Sequence, residues 1–171
     1  MKTHNPFLKK QISRLVAQLF NENADPYLTE IVVDRLLWTA TEDSDEYKRI
    51  KYLGQPYWSK NAILIYQAQN TGRKNRNFDG LRHEHIVPRI FIKKKMYDLD
   101  EKSPETIFEI LDKYSHAVVV TKHEDQRLNE LGLNRELPIA FHESGDIHAR
   151  YGHAGIEVIE VQDKCLKTIT L

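Results

Sequence analysis

The densest cluster of reactive side chains in this 171-residue chain is the run Arg82-His83-Glu84-His85. A carboxylate oxygen is a ligand that Mg²⁺ prefers, and a neutral imidazole, with an ordinary pKa of about 6.5, can take a proton from water. If the run is a strand, His83 and His85 share one face and Glu84 takes the other. On a strand, the pair His83 and His85 could therefore bind a metal ion, with ordinary polar residues at a strand end as the alternative.

A second group of reactive residues follows the clearest strand of the sequence, Ala117–Thr121. Residues 122–131 have a helical pattern that stops at Gly132, which predicts a short helix directly after the strand. His123 and Asp125 would lie in its first turn, where each is a candidate metal ligand. Arg127 follows and could contact a phosphate, although a surface arginine is the default interpretation.

These two groups together resemble a known family. The run Glu84-His85-Ile86-Val87-Pro88 is similar to the opening of the HNH (ββα-metal, His-Me finger) endonuclease motif. Residues 119–128 resemble its second half, a strand that runs into a helix whose first turn supplies a metal ligand. The resemblance covers about a third of the chain and implies a phosphodiester hydrolase with a ββα-metal core.

The resemblance implies a role for each matched position. Glu84 matches the first metal ligand and His85 matches the general base. Asp125 falls where the family has its last ligand, with His123 as the competing assignment, and His116 falls near the asparagine that orients the base. Asp125 and His116 both depart from the commonest residues, but aspartate binds Mg²⁺ at least as well as histidine does. The implied cofactor is a divalent ion, Mg²⁺ first and Mn²⁺ second.

The elements that must position these residues are mostly helices. Apolar residues at spacings of three to five, together with capping signals, predict helices over residues 6–20, 26–38, 59–69 and 104–111. Asp25 is the predicted N-cap of the second helix, with proline at its first position. Residues 155–171 predict one or two short strands.

The predicted fold class is therefore α+β. Residues 1–70 are expected to form a helical scaffold or dimerisation region. Residues 71–171 are expected to form an HNH-like core with a C-terminal extension, in one compact unit with the first region. Because residues 89–115 are too long for a simple hairpin, the helix that they contain is predicted to be an insertion in the ββα core.

Basic residues on either side of the motif are candidates for binding nucleic acid. They are Arg73, Lys74, Arg76, Lys93, Lys94, Arg127 and Arg150. Such residues could position a phosphate backbone across a metal ion, although a solvated charged surface is the ordinary alternative for each run. Residues 142–153 hold Arg150 and three histidines, and we predict a polar loop there that could line a substrate groove.

Composition and charge limit the function classes. The chain has 25 basic and 25 acidic residues, so attraction to nucleic acid must come from local clusters. The single cysteine, Cys165, excludes an internal disulfide and a multi-cysteine zinc site. The sequence has no secretory signal and no apolar run of about 18 residues, so we expect a cytoplasmic protein with no membrane partner.

We therefore expect a metal-dependent endonuclease that cuts double-stranded DNA, in restriction or phage defence. A homodimer would suit double-strand cutting, because one site cleaves one strand at a time. A ribonuclease or nuclease toxin built on the same residues is the first alternative. A non-catalytic interaction or immunity protein is the second, and the balanced net charge favours it modestly.

Overall fold

The computed structural model describes residues 6–22, 24–45, 48–69 and 78–161. These residues form eight helices and six strands, and the α+β class predicted from the sequence is confirmed. In chain order the elements are α1 (Pro6–Asn21), α2 (Pro26–Thr41), β1 (Asp43–Asp45), β2 (Lys48–Ile50), β3 (Tyr57–Ser59), α3 (Lys60–Ala68), β4 (Leu81–His85), α4 (Arg89–Tyr97), α5 (Pro104–Tyr114), β5 (Ala117–Thr121), α6 (Lys122–Glu130), α7 (Ile139–Ser144), α8 (Ala149–His153) and β6 (Val158–Glu160). β1 and β2 form a small sheet of their own.

The chain divides into two compact units that alternate along the sequence. One comprises Met1–Arg49 and His85–His116, and the other comprises Ile50–Glu84 and Ala117–Leu171. We call them the helical unit and the sheet unit. His85 is the residue at which the chain passes from the sheet unit to the helical unit.

The helical unit consists mainly of α1, α2, α4 and α5. α1 packs most extensively on α5 and also contacts α2, while α4 contacts both α5 and α2. Asp25 caps α2 by accepting a hydrogen bond from the Leu28 amide, as the sequence predicted, and Ser103 caps α5 in the same way. The core of the unit is apolar and includes Ile12, Val16, Val33, Leu37, Ile92, Met96, Ile107 and Leu111.

The sheet unit is built on a four-stranded mixed sheet with the order β4-β5-β3-β6. β3 runs parallel to β5 and antiparallel to β6. Two backbone hydrogen bonds, from Lys122 to Gly80 and from Ile86 to His116, flank the β4–β5 pair and make it antiparallel. α3 packs on β3 and β5, and α6 follows β5 without an intervening loop.

The segment between β4 and β5 contains two helices, where the sequence predicted one. The helix that opens at Pro104 is α5, as expected. α4 was not predicted, because only Ile92 and Met96 on it are fully buried and the lysines between them obscure the helical period. Both helices belong to the helical unit, so the insertion has a packing role of its own.

The prediction of a polar loop over residues 142–153 was wrong. α7 ends there at Gly145, whose φ of 71° is left-handed, and α8 follows after a short turn. Both helices are too short to give a readable hydrophobic period, and burial of Phe141 and Tyr151 stabilises them instead. Of the predicted C-terminal strands, β6 is present, while residues 162–171, with Cys165, lie outside the described residues.

None of the helices in the described part of the chain combines the length and the apolar composition needed to cross a bilayer.

Candidate active site

The strand β4 carries the reactive cluster with alternating faces. His83 and His85 are each only 4% exposed, Arg82 is exposed, and Glu84 is half-buried. The alternation predicted from the sequence is thus present. As a result, Glu84 and His85 have different surroundings although they are adjacent in the chain.

Glu84 is the partner of a buried arginine in the sheet unit. Arg150, at the start of α8, has no exposed surface, and its Nη2 donates to Glu84 Oε1 at 2.6 Å. The same nitrogen lies 2.9 Å from the Tyr151 hydroxyl oxygen, and Nη1 donates to the Leu133 carbonyl at 2.7 Å. The guanidinium therefore ties β4, α8 and the segment after α6 together.

The charges in this network stabilise one another. Burial by itself lowers the pKa of Arg150, but the electrostatic and hydrogen-bonding effects of Tyr151 and Glu84 outweigh it and raise that pKa. Burial raises the pKa of Tyr151, against the opposing effect of Arg150. At neutral pH Arg150 is therefore charged and the Tyr151 phenol keeps its proton.

Asp125, the second predicted ligand, lies near the same network. It is half-buried in the first turn of α6, and its charge raises the pKa of Tyr151, as does the charge of Glu84. Both carboxylates are therefore within electrostatic range of one hydroxyl group.

A buried carboxylate that the sequence analysis missed positions the start of α6. Glu124 accepts hydrogen bonds from Ser59 Oγ at 2.6 Å, Asn61 Nδ2 at 3.0 Å and the Thr121 amide at 2.8 Å. Thr121 Oγ1 accepts in return from the Glu124 amide, which completes a capping box. The spacing of Thr121 and Glu124 was the available signal. Because Asp125 follows Glu124 in this first turn, the capping box holds the backbone that carries the Asp125 side chain.

His123, the competing ligand, lies on the exposed surface of α6. It borders a shallow depression together with Asn61, Leu64, Gly80 and Lys122. Its exposure would allow a ligand to reach it.

His85 and His116 both belong to the helical unit and are buried there. His85 Nε2 lies 3.3 Å from the Leu37 carbonyl oxygen and 3.3 Å from Thr41 Oγ1, and Trp38 contacts the ring edge-on. His116 is 2% exposed, and its Nε2 lies 2.7 Å from the Asp112 carbonyl oxygen. Both imidazoles are thus held by backbone carbonyls of the helical unit.

The predicted nucleic-acid contacts fall in several environments. Lys93 pairs with Glu30 at 3.1 Å and with Asp34 at 3.4 Å, both on α2. Lys94 and Arg127 are exposed, whereas the guanidinium of Arg150 faces protein atoms only. Arg73, Lys74 and Arg76 lie outside the described residues.

The fit of a metal ion depends on the carboxylates. Among the described residues there is no group of three or more histidine, cysteine, aspartate or glutamate side chains placed to hold one ion. The carboxylates of Glu84 and Asp125 are of the ligand type that a hard cation such as Mg²⁺ prefers. The described residues do not supply a three-ligand zinc centre.

Comparison of the chain with known protein families, with curated proteins and with solved structures found no match. The resemblance to HNH endonucleases therefore stays a prediction from the sequence motif.

Proposed function

We propose that this protein is a metal-dependent endonuclease of the HNH kind, which hydrolyses phosphodiester bonds in DNA. One observation carries the proposal. β4 ends in the Glu84-His85 cluster, pairs antiparallel with β5, and β5 leads directly into α6 with Asp125 in its first turn. This order of strand, strand and helix is the one that the resemblance requires.

In this proposal Glu84 and Asp125 hold the divalent ion. When bound, the ion would stabilise negative charge that develops on the phosphate and the leaving oxygen. Arg150 orients the Glu84 carboxylate through the 2.6 Å hydrogen bond. The capping box at Thr121 and Glu124 keeps the first turn of α6, and with it Asp125, in place.

His85 is the proposed general base, and this role rests on the resemblance. Its ring is buried beside Leu37 and Thr41, and Nε2 lies 3.3 Å from an oxygen of each. A neutral imidazole is the form that a general base needs before it takes a proton from water.

The test is a plasmid-nicking assay in Mg²⁺, Mn²⁺ or EDTA. We expect nicking with either metal, none with EDTA, and a rate at least 100-fold lower for Glu84→Gln, His85→Ala and Asp125→Asn. Glu130→Gln is the matched control, because Glu130 is an exposed carboxylate on α6, near its C-terminus. If all three site variants keep the wild-type rate, the proposal is wrong.

The same assay tests which nucleic acid the protein cuts. Supercoiled DNA, single-stranded DNA and RNA are compared at equal phosphate concentration. We expect DNA to be cut fastest. A preference for RNA would favour the ribonuclease or toxin alternative, because the metal chemistry of the two activities is shared.

A non-catalytic interaction protein is the second candidate, and one observation favours it. Glu84 serves as the partner of the buried Arg150, and His85 Nε2 faces Leu37 and Thr41, so each has a structural use. In that case no polymer is cut and titration calorimetry with Mg²⁺ gives no heat of binding. Heat of binding that is lost in Asp125→Asn would favour the enzyme.

A further inference from the structure

Helix α2 has a stripe of apolar side chains on its exposed face. Leu28, Ile31 and Val32 are 58%, 48% and 39% exposed, and Tyr27 at the start of the helix is 73% exposed. Positions 28, 31 and 32 lie next to one another on a helix surface because their spacings are three and four. The opposite face of α2, with Val33, Leu37 and Ala40, is already buried, so both faces of this helix are apolar.

Other contacts define the borders of this stripe. On one side, Glu30 and Asp34 of α2 form ion pairs with Lys93 and Arg89 of α4. Along the helix, the stripe runs into Arg35, an exposed cation that forms no ion pair with any described residue. Asp25, the exposed N-cap of α2, precedes the stripe and carries a charge opposite to that of Arg35.

We propose that this face of α2 docks against the same face of a second copy of the chain, antiparallel, about a two-fold axis near residue 30. Such an axis places Leu28 opposite the partner's Val32. It also places Arg35 opposite the partner's Asp25, because both lie five residues from the axis. Apolar residues then meet apolar residues and each end carries one pair of opposite charges, as an isologous interface requires.

The charges select this register and this partner. Full overlap of the two helices, centred between residues 33 and 34, would place Val32 against the partner's Arg35 and bury a cation without a partner. In the register near residue 30, Arg35 of each copy meets Asp25 of the other, because one surface carries both charges. An unrelated partner would need the same charge pattern, whereas a second copy has it by symmetry.

The expected affinity is modest. Specific dimers bury roughly 1,200–2,000 Å² in total, and two 16-residue helices that share half their length reach only the low end. We therefore expect a dissociation constant on the order of micromolar. The inference does not depend on the proposed function, because it concerns the helical unit and has a readout independent of nuclease activity.

Sedimentation velocity over protein concentrations from about 1 to 500 µM tests the proposal. We expect the wild type to change from monomer to dimer across this range, and Ile31→Lys to remain monomeric throughout, with a dissociation constant raised at least tenfold. Leu64→Lys is the matched control, because Leu64 is also 48% exposed but lies on α3 of the sheet unit. It should behave as the wild type, and circular dichroism should show that both variants are folded.

Disulfide trapping tests the register. With Cys165 replaced by serine, Ile31→Cys should form a cross-linked dimer under mild oxidation, since residue 31 is one position from the proposed axis. Gln126→Cys on α6, also exposed, should not. A wild type that is monomeric at all concentrations, a dimer that survives Ile31→Lys, or binding of the monomer to anionic lipid vesicles through this face would each overturn the proposal.

Discussion

Arg150 combines full burial with three hydrogen-bond contacts, which is rare for an arginine because its charge must be compensated. Its place in the sequence predicts a contact with nucleic acid, since a cation among histidines is a plausible phosphate ligand. In the structure its guanidinium faces Glu84, Tyr151 and the Leu133 carbonyl. Contact of Arg150 with nucleic acid therefore stays a prediction. It would require the hydrogen bonds of this network to break.

We expect Arg150→Met to lower the free energy of unfolding by about 3 kcal/mol, because it leaves the Glu84 carboxylate and a buried carbonyl without their donor. Arg127→Met, the same change at an exposed position, should alter it by less than about 0.5 kcal/mol. Urea unfolding followed by circular dichroism measures both. Equal, small effects of the two variants would mean that the network contributes little to stability.

Lys9 is a second buried basic residue, and its pKa is lowered, whereas that of Arg150 is raised. It lies on α1 with no exposed surface, and its Nζ has no hydrogen-bond partner among the described residues. Burial lowers the pKa of Lys9 to about 8, although Asp112 on α5 acts in the opposite direction. Holding the charged amine in the folded protein therefore costs stability at neutral pH.

The sign of the pH dependence follows from this shift. Between pH 8 and 10.5 the unfolded chain still holds the Lys9 proton while the folded protein has lost it. The contribution of this group to stability therefore rises with pH across that window, by up to roughly 3 kcal/mol. Below pH 8 both states are protonated and the penalty is constant.

We expect Lys9→Met to be more stable than the wild type at pH 7.5, because it removes the charge and keeps the shape. The difference should become smaller at pH 10. Urea midpoints of both proteins at the two pH values measure it, and the comparison cancels the titration of all other groups. A difference that is independent of pH would show that Lys9 keeps its proton throughout.

At the scale of elements, the junction of β5 and α6 does most to position the candidate site. The cap at Thr121 and the three hydrogen bonds to Glu124 connect the start of α6 to Ser59 and Asn61, at the end of β3 and the start of α3. Because Asp125 directly follows Glu124, its orientation depends on these bonds. A loss of the cap should therefore affect both stability and activity.

We expect Thr121→Ala to lower the free energy of unfolding by about 1 kcal/mol, the usual effect of losing a threonine cap. Under the proposed function, it should also reduce metal-dependent nicking several-fold through displacement of Asp125. Lys122→Ala, exposed and adjacent, is the control for both measurements. Loss of stability without any loss of nicking would separate the cap from the active site.

At the scale of the whole molecule, the chain enters each unit twice. Residues 85–116 leave the sheet unit after β4, add α4 and α5 to the helical unit, and return at β5. The resemblance predicted only that a long insertion separates the strands. It did not predict that this insertion would complete the core of the N-terminal helices, because that depends on packing between segments far apart in sequence.

The division into units also explains why the predicted site residues have different surroundings. Glu84, Asp125 and His123 belong to the sheet unit, whereas His85 and His116 belong to the helical unit. The motif places Glu84 and His85 side by side in sequence. Strand alternation and the change of unit at His85 then separate their environments.

The sequence by itself determined the α+β class, the helices α1, α2, α3, α5 and α6, the strand β5 and the cap at Asp25. These features follow from local spacing and capping, which act within one or two helical turns. It also predicted which residues could take part in metal-assisted hydrolysis, and that prediction awaits the nicking assay.

Only the tertiary structure decided which of these residues lie together. It brought Asp125 and Glu84 into range of Tyr151, gave Glu84 a buried arginine as partner, and stabilised α7 and α8 where no periodic pattern existed. The physical reason is that charge pairing and burial depend on neighbours contributed by distant segments. No local pattern in the chain records those neighbours.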